Sequence, residues 1–327
     1  MTEKKREILL LGGAGYIGQE TAKRLLQDAY SVRVLDSFIH SQSLDPALSA
    51  SSDFACENYD INDPSRSREL ISGFDSYVIL AGLVGDPACA SNPELARKTN
   101  FESPLRILDE LLDQGEAGRF VFISTDSCYG KRPGEILTEE SPLKPVSYYA
   151  ELKASFEETL FQKTKGSLLT PIVLRLATVY GLAPRTRFDL AVNLLVREAV
   201  VKGAAGIYSG EQWRPLVHVR DVAKAVSLAL SSPRELVEGQ IFNVGSNNQN
   251  IRFSELGKLI AECVPDAEVK IIPGAPDLRD YYVSFDKIRK RLGFVPDVSL
   301  KDGVMEIRDA LKGGLIADPY HPVYRNA

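Results

Sequence analysis

Tyr149 and Lys153, four residues apart in the run Tyr149-Ala150-Glu151-Leu152-Lys153, can move a proton if the segment is helical, because side chains at i and i+4 share one helical face. A free phenol, with a pKa of about 10, is a poor base at neutral pH. A fixed ammonium beside it favours the phenolate and lowers that value, so the pair can take and return the proton of a substrate hydroxyl. A second chemical signal is Gly12-Gly13-Ala14-Gly15-Tyr16-Ile17-Gly18, which satisfies G-x-x-G-x-x-G from Gly12 and G-x-G-x-x-G from Gly13. Glycines at this spacing permit a tight turn, let the backbone approach a pyrophosphate, and bring a helix N-terminus close to a sheet so that its N–H groups face the anion.

These residues need elements to carry them. Apolar runs at Glu7–Leu11, Ser31–Asp36, Phe54–Tyr59, Ser76–Leu80, Arg119–Ser124 and Pro171–Leu176 read as strands. They are apolar throughout, which suits strands covered by helices on both faces. Between them the patterns predict helices at Ile17–Gln27, Pro64–Ser72, Pro93–Gln114 and Tyr148–Lys165, and such alternation is the signature of βαβ units. After Gly181 the pattern loosens. Helices are predicted at Phe188–Lys202, Val219–Leu230, Phe253–Glu262, Phe285–Leu292 and Leu300–Lys312, with short strands near Ile207 and Ile241. Ser41–Ser52, rich in Ser and Ala, reads as a mobile loop. The fold expected is an α/β, Rossmann-type doubly wound parallel sheet over residues 1–180, joined by about 215–246, with a smaller α/β substrate lobe over 181–327 interwoven with it.

In that frame the cofactor residues fall at strand ends. The second strand closes on Asp36, 18 residues after Gly18, near the ~20 at which an acid meets the adenosine ribose hydroxyls. An Asp there repels a 2′-phosphate and favours NAD over NADP; the competing reading is a solvated turn residue. Asp60-Ile61 follows the third strand, where a carboxylate can meet the adenine amino group. Leu80-Ala81-Gly82-Leu83 closes the fourth, where small residues let the nicotinamide ribose lie against the backbone.

Composition narrows the alternatives. The chain has 327 residues, 44% hydrophobic and 25% charged, with 39 Lys plus Arg against 44 Asp plus Glu, a net charge of −5. That balance lacks the basic excess of a nucleic-acid binder. Four cysteines, Cys56, Cys89, Cys128 and Cys263, lie far apart with no C-x-x-C pair, and three histidines show no ligand spacing, so neither a disulfide framework nor a metal site is expected. No apolar run approaches the ~20 residues of a membrane span, and the charged N-terminus is no secretory signal, so a cytoplasmic protein is expected.

Taken together the motifs resemble the extended short-chain dehydrogenase/reductases of the NAD-dependent nucleotide-sugar epimerase/dehydratase family, over nearly the whole chain. The matching residues are Gly12, Gly15 and Gly18, Asp36, Asp60-Ile61, Ala81-Gly82-Leu83, Asn100, Ser124 through Gly130, Tyr149 with Lys153, Arg175 through Gly181, and His218 through Val222. The resemblance implies a bound NAD touched by Tyr16, Ile17, Leu80 and Asn100 besides the residues above. It makes Thr125 the hydrogen-bond partner of a sugar C4 hydroxyl, Tyr149 its base, and Lys153 the holder of the nicotinamide ribose. Thr125 has a competing role as a strand-end cap. Arg214 and Arg279 match positions that hold a substrate pyrophosphate, Asn193 matches a side chain over the sugar diphosphate, and Arg185 and Arg187 are further cations suited to phosphate. Arg220 reads as structural, His218 as ordering a strand-to-helix turn, and Trp213 as either a stacking or a packing residue.

The reaction implied is oxidation at C4 of a nucleotide-diphosphate sugar, as a 4-epimerase or 4-dehydrogenase. The run Leu176 to Leu190, followed by Asn193, is similar to a subgroup that includes GDP-heptose 4-dehydrogenases. A 4-keto-sugar reductase, a 4,6-dehydratase and a catalytically silent dinucleotide sensor are the alternatives. Related dehydratases carry Ser-Thr-Asp-Glu where this chain has Ser124-Thr125-Asp126-Ser127, which disfavours dehydration. Val84 stands where galactose-type 4-epimerases often have Lys. Homodimerisation through the helices near Pro93–Gln114 and Tyr148–Lys165 is a further family expectation.

Overall fold

The computed structural model describes residues 5–40, 43–274 and 279–326. Seven strands form one parallel sheet: β1 (Glu7–Leu11), β2 (Ser31–Asp36), β3 (Phe54–Asn58), β4 (Ser76–Ile79), β5 (Gly118–Thr125) and the strands Leu169–Leu176 and Gln240–Val244. Running from Gln240–Val244 through Leu169–Leu176, the order continues β5, β4, β1, β2, β3. The order reverses beside β1, so a crevice opens at the carboxyl ends of β1 and β4, where a parallel doubly wound sheet binds ligands.

Side-chain alternation explains why these strands are apolar throughout. In β1, Ile8 and Leu10 join one core with Ala22, Leu25, Ala225 and Val226. Leu9 and Leu11 join the opposite core with Ile107, Leu108, Phe156 and Leu160. Each face is thus covered by a pair of helices: Tyr16–Gln27 with Val219–Ser231, and Ser103–Asp113 with Tyr148–Lys163. A third core, with Val192, Val196, Leu256, Ile260, Val304 and Ile307, unites helices Ala191–Lys202, Phe253–Cys263 and Leu300–Lys312.

Several boundaries differ from the sequence expectation. The single helix expected over Pro93–Gln114 is broken into Pro93–Arg97, a π turn at Lys98–Glu102 and Ser103–Asp113. Pro104 has no N–H for the carbonyl of Asn100 four residues back, so the ladder must widen there. Helix Pro64–Ser72 shrinks to Ser67–Leu70, and a helix at Asp86–Ser91 was not anticipated. Within Ser41–Ser52, residues 41 and 42 lie outside the described set, and Asp45 caps a helical turn at Pro46–Ser49. The strand expected near Ile207 is Ala204–Tyr208, but its pairing with Glu268–Ile272 was not expected, nor were the small sheets of Asn250–Arg252 with Trp213–His218 and Thr178–Tyr180 and of Tyr282–Val283 with Ile136–Leu137.

One buried ion pair joins these layers. Arg175, on strand Leu169–Leu176, places Nη2 at 2.6 Å and Nε at 3.1 Å from Oε2 of Glu157 on helix Tyr148–Lys163. Both residues are almost fully buried. Ser124 of β5 donates to Glu157, and Arg175 also donates to the Tyr129 hydroxyl at 3.0 Å, which in turn donates to Asn243 at 2.7 Å. Replacing Arg175 with Leu leaves the Glu157 carboxylate buried and uncompensated. Urea denaturation of Arg175→Leu is expected to show a loss of about 3–5 kcal/mol; a loss below about 1 kcal/mol would contradict this role for the pair.

Candidate active site

The glycine turn is dictated by backbone contact. Gly12 has φ +84°, and a Cβ there would lie 2.5 Å from the nitrogen of Ala81. At Gly18 a Cβ would meet the Cα of Gly13 at 2.5 Å, so glycine is what lets the first helix start against the turn. Gly15, by contrast, faces open space: its Cβ would meet only Gly12 O, at 3.5 Å. The turn therefore leaves room above Gly15, beside the N-terminus of helix Tyr16–Gln27.

Asp36, at the end of β2, is held in place by two N–H donors, from Ala14 at 3.0 Å and Phe38 at 2.9 Å. Burial raises its carboxyl above the ordinary range, and the two N–H bonds and the Arg185 charge oppose that rise. Asp60 is exposed, and one carboxylate oxygen takes the Asn62 N–H at 2.9 Å. The Ile61 side chain belongs to the core, and its carbonyl receives Arg106 at 2.6 Å. Leu80 and Ala81 both donate their N–H to Leu11 O at 2.8 Å, which ties β4 to the glycine turn. Tyr16 reaches away from the sheet and donates its hydroxyl to Gly181 O at 2.8 Å, while Ile17 packs on the first core.

The reacting groups gather at the end of β5. Lys153 is 3% exposed, and its ammonium donates to Ile123 O at 3.0 Å, lying 4.5 Å from the Phe122 ring centroid and 6.0 Å from that of Tyr149. Burial pulls its pKa down to about 8, against the stabilising charges of Cys128, Glu157 and Cys89. Tyr149 is half-buried. The expectation that Lys153 lowers the phenol is not what the protein alone shows: burial pushes Tyr149 up, the Cys128 and Cys89 sulfurs add to the rise, and Arg187 is the charge that opposes it. Thr125 does cap, its Oγ1 accepting the Ser127 N–H at 3.1 Å. That bond uses a lone pair and leaves the hydroxyl proton able to donate.

These residues fit NAD. The Asn100 amide is fully buried and gives Nδ2 to Leu83 O at 3.0 Å, yet its Oδ1 has no partner. A Cβ on Gly82 would lie 2.7 Å from that oxygen and 3.6 Å from the Lys153 ammonium. The absence of a side chain at Gly82 therefore makes a cradle bounded by an unused acceptor and a cation, which suits a ribose or carboxamide edge.

Residues expected at the substrate divide. Arg214 and Arg279 are both charges felt by Asp126 and Tyr281. The Arg214 guanidinium stacks 5.3 Å from the Tyr281 ring and 5.6 Å from Phe253, and Arg279 lies 3.6 Å from Asp86. Asp277 and Leu278 of its motif lie outside the described residues. Asn193 is corrected: its amide is fully buried, takes the Gly181 N–H at 2.9 Å, and donates to Gly181 O at 3.1 Å and Arg187 O at 2.9 Å, so it staples a loop instead of facing a diphosphate. Arg185 donates to the carbonyls of Val323 and Arg325, and Arg187 is paired with Asp189. Trp213 packs edge-on against Tyr282 at 5.3 Å with Arg252 over its face. His218 caps helix Val219–Ser231 through Nδ1, which accepts from Arg220 N at 3.3 Å, so Nε2 is left to donate to Glu306 at 2.9 Å.

One pair escaped the sequence reading. Tyr281 donates to Asp126 Oδ1 at 2.9 Å across 155 positions of chain, and Asp126 Oδ2 has no partner. Burial lifts the Asp126 carboxyl to about 7, against the Tyr281 hydrogen bond and the Arg214 and Arg279 charges. No spacing rule links the two residues, and the only signal was the position of Tyr281 two residues after Arg279.

Comparison with known proteins agrees with this geometry. A family model described as the NAD dependent epimerase/dehydratase family matches residues 8–245. A dTDP-glucose 4,6-dehydratase of Streptomyces niveus is 28% identical over 91% of this chain and 90% of its own. The uncharacterized UDP-glucose epimerase YtcB of Bacillus subtilis is also 28% identical, over 91% and 95%. Among solved structures, the UDP-glucose 4-epimerase of Thermus thermophilus in complex with NAD superimposes with a TM-score of 0.79 at 28% identity, covering 94% of this chain and 99% of that one.

The raised Asp126 carboxyl has a stability consequence. Between its ordinary value of 3.8 and about 7 the folded protein holds a proton that the unfolded chain has released, so ionisation costs stability progressively as pH rises through that window. Asp126→Asn removes this cost. Thermal or urea unfolding is expected to show the variant gaining on the wild type by on the order of 2 to 4 kcal/mol between pH 4 and pH 8. An offset between the two proteins that is the same at both pH values would show that folding does not raise the Asp126 carboxyl.

Proposed function

The chain belongs to the NAD-dependent epimerase/dehydratase family, and we propose that it oxidises C4 of a nucleotide-diphosphate hexose or heptose, the ketone being re-reduced to the 4-epimer or released. The observation that carries this reading is the Tyr149 and Lys153 face of helix Tyr148–Lys163, whose ammonium is fixed on Ile123 O two residues before Thr125, beside the Asn100 and Gly82 cradle.

NAD, when bound, supplies the acceptor for the C4 hydrogen. What the chain supplies is proton control and orientation. Thr125, its lone pair engaged by Ser127, donates a hydrogen bond to the sugar O4. Tyr149 takes the O4 proton as the C4–O bond becomes a carbonyl, and returns it when the ketone is reduced. Burial makes the phenol reluctant to ionise in the protein alone. Arg187 is the cation that favours its phenolate. Arg214 and Arg279, whose charges reach Asp126, hold the substrate pyrophosphate in this reading.

A 4,6-dehydratase is the second reading, favoured by the Streptomyces relative and by the Asp126 carboxyl, which is poised to give a proton. It needs a base as well, and Ser127, 3.4 Å from the Tyr281 hydroxyl, is not one. A 4-keto-sugar reductase would use the same Thr125, Tyr149 and Lys153 with NADH taken from solution, whereas a silent sensor is the weaker reading, because a sensor needs none of the three. Pairing of two copies through helices Ser103–Asp113 and Tyr148–Lys163, and a cytoplasmic location, extend the proposal. No helix among the described residues is long and apolar enough to cross a membrane.

Incubation with UDP-glucose, UDP-glucuronic acid, dTDP-glucose and GDP-mannose, followed by NMR of the sugar C4 proton, tests the reaction. Inversion at C4, or a 4-ketone formed with stoichiometric NADH, supports it; a ketone that has lost water across C5 and C6 moves the assignment to the dehydratase. Tyr149→Phe is expected to lower kcat by about 10²–10⁴ with little change in KM. Full turnover by that variant would remove Tyr149 from the mechanism.

A further inference from the structure

The loop that leaves strand Thr178–Tyr180 carries Arg185 and Arg187 and is clamped from both sides. From the cofactor side, Tyr16, which immediately follows the glycine turn, donates to Gly181 O, and Asn193 ties Gly181 to the carbonyl of Arg187. On its other side lies the C-terminal segment Asp318–Asn326. Phe188 N bonds Tyr324 O at 2.7 Å, and the two rings meet edge to face at 5.6 Å. Arg185 donates to Val323 O at 3.2 Å and Arg325 O at 3.1 Å, and Asn326 N reaches Asp189 at 3.3 Å.

The charges on this loop are placed along the cofactor crevice. Arg185 is within electrostatic reach of Asp36 at the end of β2 and of His40 just beyond it. Arg187 is within reach of His40, of Tyr16 and of Tyr149. What sets the loop beside the glycine turn is the Tyr16 hydroxyl on Gly181 O, four residues before Arg185. Arg185 and Arg187 are 4% and 8% exposed. Arg187 is bound in a fork by Asp189 at 2.6 and 3.0 Å. Arg185 bonds backbone carbonyls and, among the described residues, meets no carboxylate within salt-bridge distance; burial and the Arg187 charge pull its pKa down to about 10. Such a buried cation is costly unless an anion joins it. Neither the turn Gly12–Gly18 nor the segment Ala81–Gly85 contains a basic residue.

We propose that Arg185 and Arg187, locked in place by the C-terminal segment Asp318–Asn326, form the outer wall of the cofactor site, clasping the adenosine ribose and pyrophosphate of NAD. This replaces the sequence expectation that they hold the substrate diphosphate, and leaves that task to Arg214 and Arg279. It rests on NAD as the cofactor and is independent of which sugar is oxidised.

Calorimetric titration of cofactor-stripped protein with NAD and with ADP, and the NAD retained per chain after dialysis, test the clasp without any turnover. Arg185→Ala and Arg187→Ala are each expected to raise the Kd for NAD and for ADP about tenfold or more. Tyr324→Ala, which loosens the strap without touching either guanidinium, should speed NAD loss on dialysis. Arg214→Ala should leave NAD affinity within about twofold. If the alanine variants fail to fold, Arg185→Lys and Arg187→Lys keep the charge but lose the fork, and should weaken NAD by a smaller factor. NAD and ADP affinities within about twofold of wild type in the folded Arg185 and Arg187 variants would overturn the proposal.

Discussion

Everything at the candidate active site hangs on one buried ion pair. Tyr149, Lys153 and Glu157 recur at intervals of four on helix Tyr148–Lys163, so they form a single stripe, and Glu157 is the end of it that is nailed down. Arg175 grips both its oxygens, and Ser124, the neighbour of Thr125, adds a third donor. An apolar contact of the same size would bury the helix as well but would tolerate rotation and sliding. A forked, fully desolvated pair is directional, and breaking it leaves a charge in the interior. The phenol and ammonium therefore meet the end of β5 in one geometry.

A second constraint is the closeness of backbones at the head of the sheet. Gly12 lies against Ala81, Gly18 against Gly13, and Gly82 against Asn100 and Lys153. Each contact excludes a methyl group, and the space left over is the crevice itself. The π turn at Lys98–Glu102 belongs to the same arrangement: by widening the helix one turn before Pro104, it directs the Asn100 amide inward, where Oδ1 waits without a donor.

Charge is organised locally against a net of −5. Asp126 and Asp36 are affected alike: burial lifts both carboxyls, and hydrogen bonds followed by arginine charges, Arg214 and Arg279 at Asp126 and Arg185 at Asp36, oppose the rise. Net charge therefore says nothing about the ligand, since the charged groups of the site are few.

The sheet, the glycine turn, Asp36 and the Tyr149–Lys153 face were legible because each depends on neighbours in sequence. β1, β2 and helix Leu300–Lys312 match their expected limits for this reason: period, apolar runs and glycine spacing are local properties. The three small sheets, the π turn and the link between Tyr281 and Asp126 were not legible, because each joins segments whose meeting depends on the path of the chain. Asn193 illustrates the difference: its residue type suits a diphosphate, but the fold surrounds it with the carbonyls of Gly181 and Arg187, and a buried amide must satisfy those first. The sign of the Tyr149 shift was decided in the same way, since spacing predicts an ammonium nearby while only packing sets how dry the phenol is. By itself, then, the sequence determined the cofactor class and the shared helical face of Tyr149 and Lys153, because periodic spacing on a strand or helix is enough to place them. Tertiary structure alone decided that Arg185 meets the C-terminal carbonyls of Val323 and Arg325 while Arg214 lies over the Tyr281 ring, because that depends on where distant segments come to rest.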